Sequence, residues 1–130
     1  MNIMYGTVTS VFTSDSNGAQ LVNVKSHISD KEYTNCEVLS LKGMNSLPND
    51  GDLVAFVQIH NSDILVLGVV EPYDLDISSK EVLIHSGEVT QQGQAKTYAK
   101  TASILLKPDG SIEIVSEGTV TITAPSVEII

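Results

Sequence analysis

Apolar and polar residues alternate along most of the chain with a period of two rather than 3.6. This pattern is typical of strands with one buried face, so the sequence predicts an all-β fold. Gly, Asn, Asp and Pro residues punctuate the alternation before Glu71 and divide it into five segments. The five predicted strands run from about Ile3 to Phe12, Gln20 to Lys25, Asn35 to Leu41, Leu53 to Ile59 and Ile64 to Val70.

Turn signals separate these strands. Residues 15–18 and 48–52 combine Asp and Asn side chains, which cap their own backbone, with glycines that accept positive φ. Residues 60–63 are typical of a tight hairpin turn, whereas residues 26–34 fit either a short helix or an extended loop. Five short strands with one longer connection favour a partly open barrel of the oligonucleotide/oligosaccharide-binding (OB) type over residues 1–71. A small β-sandwich is the alternative.

The fourth and fifth predicted strands, Leu53 to Ile59 and Ile64 to Val70, are nearly continuous apolar runs. Such runs indicate strands that are covered on both faces, so we expect these two at the centre of the barrel. The apolar pattern then breaks from Glu71 to Glu81, where Pro72 and four charged residues follow. We place a domain boundary there and expect residues 72–100 to be a linker or collar. Val82 to His85 is a candidate short strand, and the polar stretch Gly87 to Lys100 a candidate loop.

The last third of the chain contains apolar pairs that recur at steps of eight, eight and seven residues. Turn-forming residues separate the pairs, and a repeat this short has no room for a helix. Each unit is therefore predicted to be one strand of about five residues plus a tight turn. The pairs are Ile104 with Leu106, Ile112 with Ile114, Val120 with Ile122, and Val127 with Ile129.

These pairs need a cover that the sequence after Lys100 does not supply, because it contains no second sheet and no amphipathic helix. Burial of one aliphatic side chain stabilises a fold by about 1.5–3 kcal/mol, so eight exposed positions forgo a large stabilisation. Three identical chains wound around one axis would bury all eight as a common core. The sequence thus predicts that residues 101–130 form a trimeric, intertwined β-helix or β-prism stalk. The alternative is a single-chain meander packed on the barrel.

The charge of the chain excludes one class of partner. The chain contains sixteen acidic residues and seven lysines but no arginine, so its formal net charge is −9. Nucleic-acid surfaces depend on clustered Lys and Arg, so we expect no nucleic-acid partner. The alternative function, an OB-fold binding module for single-stranded nucleic acid or glycan, would need stacking aromatic residues. The chain has no Trp, and its two Phe and four Tyr residues share no spacing.

Candidate catalytic and metal-binding residues do not assemble into a motif. Cys36 is the single cysteine and is predicted to be a buried strand thiol, and the three histidines lie in separate segments. Three short motifs lack the context that their chemistry needs. No nucleophile elbow surrounds His85-Ser86, no calcium loop follows Asp74-x-Asp76, and the carboxylates of Asp50-Gly51-Asp52 do not form an acid/base pair. We therefore expect no enzyme activity, a cell-wall hydrolase included, and no cofactor or metal. The start of the chain shows no secretory signal and no apolar run is long enough to cross a bilayer, so a soluble protein made in the cytoplasm is expected.

Three barrel segments and the stalk repeat carry a resemblance to a known family. The barrel segments are Gly6-Thr7-Val8-Thr9-Ser10-Val11, Pro48-Asn49-Asp50-Gly51-Asp52-Leu53-Val54-Ala55-Phe56 and Val66-Leu67-Gly68-Val69-Val70. With these segments and the repeat, the chain resembles the central spike and baseplate assembly protein V family of contractile phage tails, bacteriocins and type VI secretion systems. The resemblance spans nearly the whole length, and the order of barrel first and short-repeat stalk second is its most specific part.

The resemblance implies a homotrimeric structural protein of the virion tail baseplate, assembled in the host cytoplasm. Its barrel would dock on a tail hub protein, and its stalk would point at the host outer membrane or cell envelope, which it contacts transiently. Many family members end in a His-x-His pair that binds iron, whereas this chain ends in Ile129 and Ile130. The two isoleucines are the expected contact with a separate tip-capping protein. The stretch from Glu71 to Glu81 has no room for the lysozyme-like domain that some relatives insert.

Overall fold

Eight β-strands form the regular structure of the computed structural model, which describes residues 2–44, 46–59, 63–70, 75–93 and 95–130. No helix occurs in these ranges, which confirms the all-β prediction, and nothing in them forms a helix that could span a membrane. The chain divides into two compact units, Met1–Pro72 and Tyr73–Ile130.

The first unit is a closed five-stranded barrel. Its strands are β1 Met4–Thr13, β2 Gln20–Ser26, β3 Glu32–Val38, β4 Leu53–Gln58 and β5 Ile64–Val69. In the strand order β1-β2-β3-β5-β4, β4 pairs with β1 to close the barrel, β3 and β5 run parallel, and all other neighbours are antiparallel. The prediction of five strands is confirmed, but β3 begins and ends three residues earlier than predicted, and the barrel is closed rather than partly open. The closure rules out the sandwich, and the architecture is compatible with an OB-fold.

The turns predicted at residues 15–18 and 48–52 each contain a glycine with positive φ. Gly18 has a φ of 71° and Gly51 a φ of 89°, values that favour glycine over residues with a Cβ atom. In the second turn, the Asp52 carboxylate accepts a hydrogen bond of 2.8 Å from the Asn49 backbone N–H. Of the two alternatives for residues 26–34, the helix is not formed: residues 27–31 are a short loop with a turn at 27–29, and strand residues of β2 and β3 flank it. The predicted hairpin turn at 60–63 lies largely outside the described residues.

The barrel core consists of small aliphatic residues around one aromatic ring. Phe56 is fully buried and its ring lies 5.6 Å from that of Tyr33. Gly6 allows β1 and β2 to approach closely, because a Cβ there would lie 2.6 Å from Val24 Cγ1. Cys36 is buried in β3 as predicted, and burial raises the pKa of its thiol to about 11. The core residues are Val8, Val22, Val24, Cys36, Val54, Phe56, Ile64 and Val66.

The outer side of β4 differs from the prediction that both faces of this strand are covered. Val54 and Phe56 point into the barrel and are fully buried, whereas Leu53 and Ala55 face outward and are half-buried. The single chain therefore covers the inner face completely and the outer face only in part.

The second unit contains a three-stranded antiparallel sheet with the order β6-β7-β8. Its strands are β6 Val82–Gln92, β7 Ala95–Leu106 and β8 Ile112–Ser116. The polar stretch from Gly87 to Lys100, which we expected as a loop or collar, belongs to the long β6–β7 hairpin instead. Its side chains give no apolar period because they are largely exposed on both sides of a two-stranded ribbon. Gly93, with a φ of 62°, lies at the turn.

No strand is assigned to the described residues after Ser116. The apolar pairs Val120/Ile122 and Val127/Ile129 lie in this final segment and are exposed in the single chain. The structure therefore does not show the predicted β-helix or β-prism stalk: residues 101–130 contribute the end of β7 and all of β8 to a three-stranded sheet, and the predicted strands around the last two apolar pairs are not formed in the single chain.

Candidate functional site

One face of the β6–β7–β8 sheet is entirely apolar across two complete rows. The register places Val82 opposite Leu106 and Leu106 opposite Ile112. The next row on the same face joins Ile84, Ile104 and Ile114, because side chains two residues apart point to the same side of a strand. We call these six residues the apolar face.

The apolar face is open to solvent in the single chain. Ile104, in the central strand and the middle of the second row, is 38% exposed, and its neighbours Ile84 and Ile114 are 46% and 59% exposed. A central strand of a globular domain normally buries such residues, and contiguous apolar patches mark interaction sites. The face is therefore the candidate functional site.

The opposite face of the sheet is partly covered by the segment that precedes β6. Ile77, which precedes β6, lines a groove together with Leu83, Leu105 and Val115. The Lys100 ammonium donates a hydrogen bond of 3.2 Å to the Leu75 carbonyl, which holds the segment that leads into β6 against this side. The segment before β6 thus covers part of the face that lies away from the six apolar residues.

The apolar face ends at a row of small residues formed by Ser86, Ala102 and Ser116. The pairing shifts immediately after it: Gly87 lies opposite Lys100, so Thr101 is an extra residue in β7 and forms a β-bulge. The Thr101 carbonyl accepts a hydrogen bond of 2.9 Å from the Glu117 backbone N–H, just after β8 ends. The bulge therefore marks the point where three strands become two.

A histidine, a tyrosine and a glycine fix the hairpin beside this bulge. The Tyr98 hydroxyl lies 2.6 Å from His85 Nδ1, and the two rings meet edge to face at 5.5 Å. The Tyr98 ring lies across Gly87, where a Cβ atom would come within 2.7 Å of Tyr98 Cζ. An aromatic ring packed over a strand glycine pins the register of the two strands.

Replacing Gly87 by alanine is expected to disrupt this packing. The added methyl group would lie 2.2 Å from the Ala99 carbonyl oxygen, a backbone atom that cannot rotate away. We expect a loss of about 1–3 kcal/mol in the stability of the second unit, as for other overpacked sites. Thermal unfolding followed by circular dichroism measures the loss. Gly118→Ala is the control, because nothing lies within 4 Å of a Cβ at Gly118, and equal unfolding midpoints for the two variants would contradict the prediction.

The turn between β7 and β8 is stabilised by local polar contacts. The Asp109 carboxylate accepts hydrogen bonds from the Ser111 backbone N–H at 2.9 Å and from the Ser111 hydroxyl at 2.5 Å, and these lower the pKa of Asp109. Lys107 and Glu113 form an ion pair across the hairpin, which raises the pKa of Lys107. These contacts hold the two strands that carry Ile104, Leu106, Ile112 and Ile114 in register.

The structure brings together half of the residues that the sequence assigned to a trimer core. Ile104, Leu106, Ile112 and Ile114 share the apolar face, and Val120 lines the same groove beside Ile84. Ile122, Val127 and Ile129 lie further along the final segment, outside the sheet. Val82 and Ile84 also belong to the face and were not predicted, although their i, i+2 spacing matches that of the predicted pairs.

Residues considered for catalysis or metal binding are dispersed. His27 Nε2 lies 2.7 Å from the Thr7 hydroxyl on the barrel, while His85 contacts Tyr98 in the other unit. His60 and Asp74 lie outside the described residues. Within the described ranges, no three or more His, Cys, Asp or Glu residues form a group able to hold a metal ion.

Neither the protein-family models nor the curated proteins contain a match to this chain.

Proposed function

We propose that the protein is a homotrimeric structural spike of a phage tail or a related contractile injection machine. The observation that carries the proposal is the apolar face of the β6–β7–β8 sheet. It belongs to a well-paired sheet, yet its six side chains are 38–63% exposed in the described chain, where Val120 of the final segment lines a groove beside Ile84. A fold that leaves six aliphatic side chains in water favours assembly with other copies.

The energy available from covering this face is substantial. Full burial of an aliphatic side chain is worth about 1.5–3 kcal/mol, and these six are already about half-buried. Covering them would therefore stabilise each chain by about 5–9 kcal/mol. Summed over three chains, this gain is of the same order as the free energy lost when separate molecules associate.

Three copies would cover the apolar face, because each copy supplies its sheet as one side of a triangular prism. The apolar faces then point to a common axis, and the final segments continue the core through the pairs Val120/Ile122 and Val127/Ile129. The outer edges of β6 and β8 carry no neighbouring strand in the described chain. Pairing of these edges with neighbouring copies would satisfy their backbone groups and suppress open-ended aggregation.

The function of such an assembly is mechanical. A shaft whose strands are paired between chains resists bending and transmits axial force to the host envelope without local unfolding. The barrel docks on the tail hub, and Ile129 and Ile130, both highly exposed, form the contact for a tip-capping protein. The resemblance of barrel and repeat to the spike family supports these assignments.

Mass in solution tests the proposal. Light scattering of the full chain over a dilution series into the micromolar range should give three times the chain mass. A chain ended at Lys80, which retains the whole barrel but lacks the sheet, should dissociate at concentrations where the full chain does not. A monomeric or dimeric full chain would contradict the spike.

A further inference from the structure

A cleft lies on the outer side of the barrel, beside the hairpin loop that joins β1 and β2. Its floor is apolar: Phe12 lies opposite Leu21 in the register, and both side chains are half-buried. They point outward, because Val22 lies in the barrel core and Val11 packs against it. The cleft has a volume of about 460 Å³, which is in the range of small-ligand sites.

The rim of the cleft is polar and comes from two parts of the chain. On β3, Asn35 and Glu37 flank the buried Cys36 and are directed outward. In the described chain, the side chains of Asn35, Glu37 and Asp15 form no hydrogen bond or ion pair with another residue. Their amide and carboxylate groups are therefore available to a ligand. The loop contributes Ser14, Asp15, Ser16 and Asn17 to the rim.

Both sides of the cleft are held in shape by hydrogen bonds. In the loop, the Ser14 N–H donates to the Ala19 carbonyl at 2.7 Å, and the Gly18 N–H donates to the Ser14 carbonyl at 3.0 Å. On the facing strand, the Asn35 backbone N–H donates to Asn23 Oδ1 at 3.1 Å. A site that is fixed before the ligand arrives loses less conformational entropy on binding.

The charge of the lining decides which ligands fit the cleft. Asp15 and Glu37 are acidic, and none of the described lining residues is basic, so phosphate and other anions would be repelled. The described ranges also contain no group of three or more His, Cys, Asp or Glu residues that could hold a metal ion. The other polar lining residues are Ser, Thr and Asn, which both donate and accept hydrogen bonds. The cleft therefore matches an uncharged ligand that is rich in hydroxyl groups.

We propose that this cleft binds a neutral sugar unit of a glycan. A pyranose ring combines an apolar face of C–H groups with hydroxyl groups around its edge. The apolar face packs on Phe12 and Leu21, and the hydroxyl groups donate hydrogen bonds to the carboxylates of Asp15 and Glu37. Such bonds are roughly twice as strong as those between neutral groups. The site lies within one chain, so it does not depend on the proposed trimer.

Titration of the isotope-labelled full chain with neutral oligosaccharides, followed by two-dimensional NMR of the backbone amides, tests the proposal. Maltotriose, chitotriose and lactose are the probes, and inorganic phosphate is the anionic control. We expect at least one of the three sugars to shift the amides of residues 14–19, Asn35 and Glu37 saturably, and phosphate to leave them unchanged. The proposal is wrong if no sugar shifts these amides. Shifts produced by tetralysine and by none of the sugars would assign the cleft to a basic peptide instead.

Two variants separate the two kinds of contact. Glu37→Gln removes a charge and keeps the side-chain shape, while Phe12→Leu keeps an apolar side chain and removes the ring. Each should raise the dissociation constant of the sugar roughly tenfold. Glu32→Gln makes the same charge change on the same strand outside the cleft and should leave the constant unchanged. Thermal unfolding confirms that the variants are folded, and wild-type affinity in both cleft variants would overturn the assignment.

Discussion

Replacing Ile104 by aspartate should convert the proposed trimer into monomers. Ile104 lies in the central strand between Ile84 and Ile114, so its side chain would point into the middle of the proposed shared core. Three unpaired carboxylates would be brought together there, and the desolvation of each costs several kcal/mol. That cost matches or exceeds the stabilisation that the apolar face supplies, so we expect the dissociation constant to rise by several orders of magnitude. Light scattering at micromolar concentration gives the result directly.

Ser103→Asp is the matched control for this experiment. Ser103 is the neighbour of Ile104 in β7 and points to the opposite face, so the variant adds the same charge one residue away. It should keep the mass of three chains, and both variants should retain the circular dichroism of a folded β protein because the barrel core is untouched. If Ile104→Asp stays trimeric, the apolar face is not the assembly surface.

Phe56→Ala should produce the largest loss of stability in the barrel. The ring is completely buried, packs against Tyr33 at 5.6 Å and is the largest buried side chain of the core. Removing a buried phenylalanine ring costs about 3–5 kcal/mol, because the lost contacts are accompanied by a cavity. A domain of this size is stabilised by about 5–15 kcal/mol in total, so the variant barrel should approach instability. Urea unfolding followed by tyrosine fluorescence suits a chain without tryptophan.

Phe12→Ala provides the comparison for Phe56. Phe12 is half-buried near the end of β1 and lies outside the core, so the same truncation should cost clearly less there. A difference of about 2 kcal/mol between the two variants is expected from the difference in burial. Equal losses would show that the inside of the barrel is not packed around the Phe56 ring.

The barrel strands were predictable from the sequence because alternation marks strands such as β2, continuous apolar runs mark β4 and β5, and turn residues separate the strands. Inward residues such as Val22 and Val24 alternate with outward polar ones, and Gly18 and Gly51 mark the turns with positive φ. The starting residue of β3 was less predictable, since Glu32 and Thr34 carry no apolar signal and join the strand through pairing with β2. Closure through β4 and β1 depends on contacts distant in sequence, which local patterns do not encode.

The long hairpin of the second unit was not predictable from hydrophobic period. Between Gly87 and Lys100 the chain pairs as two strands with mostly exposed side chains, so backbone hydrogen bonds and the Tyr98–Gly87 contact define it. Four of the six residues of the apolar face were predicted, namely the pairs in β7 and β8. The pair in β6 was not, because Val82 and Ile84 lie before the repeat in which the other pairs recur. The threefold assembly of these pairs stays a prediction.

The bulge at Thr101 restricts how the hairpin of this protein can change length. Neighbouring residues of a strand point to opposite faces. One residue inserted into β7 between the bulge and the turn would therefore move every side chain of β7 beyond the insertion to the other face of the ribbon. Two added residues, matched by two in β6, would restore the original alternation. Evolutionary or engineered variants of this ribbon should therefore differ from one another in steps of two residues per strand, with odd-numbered insertions confined to the turn at Gly93.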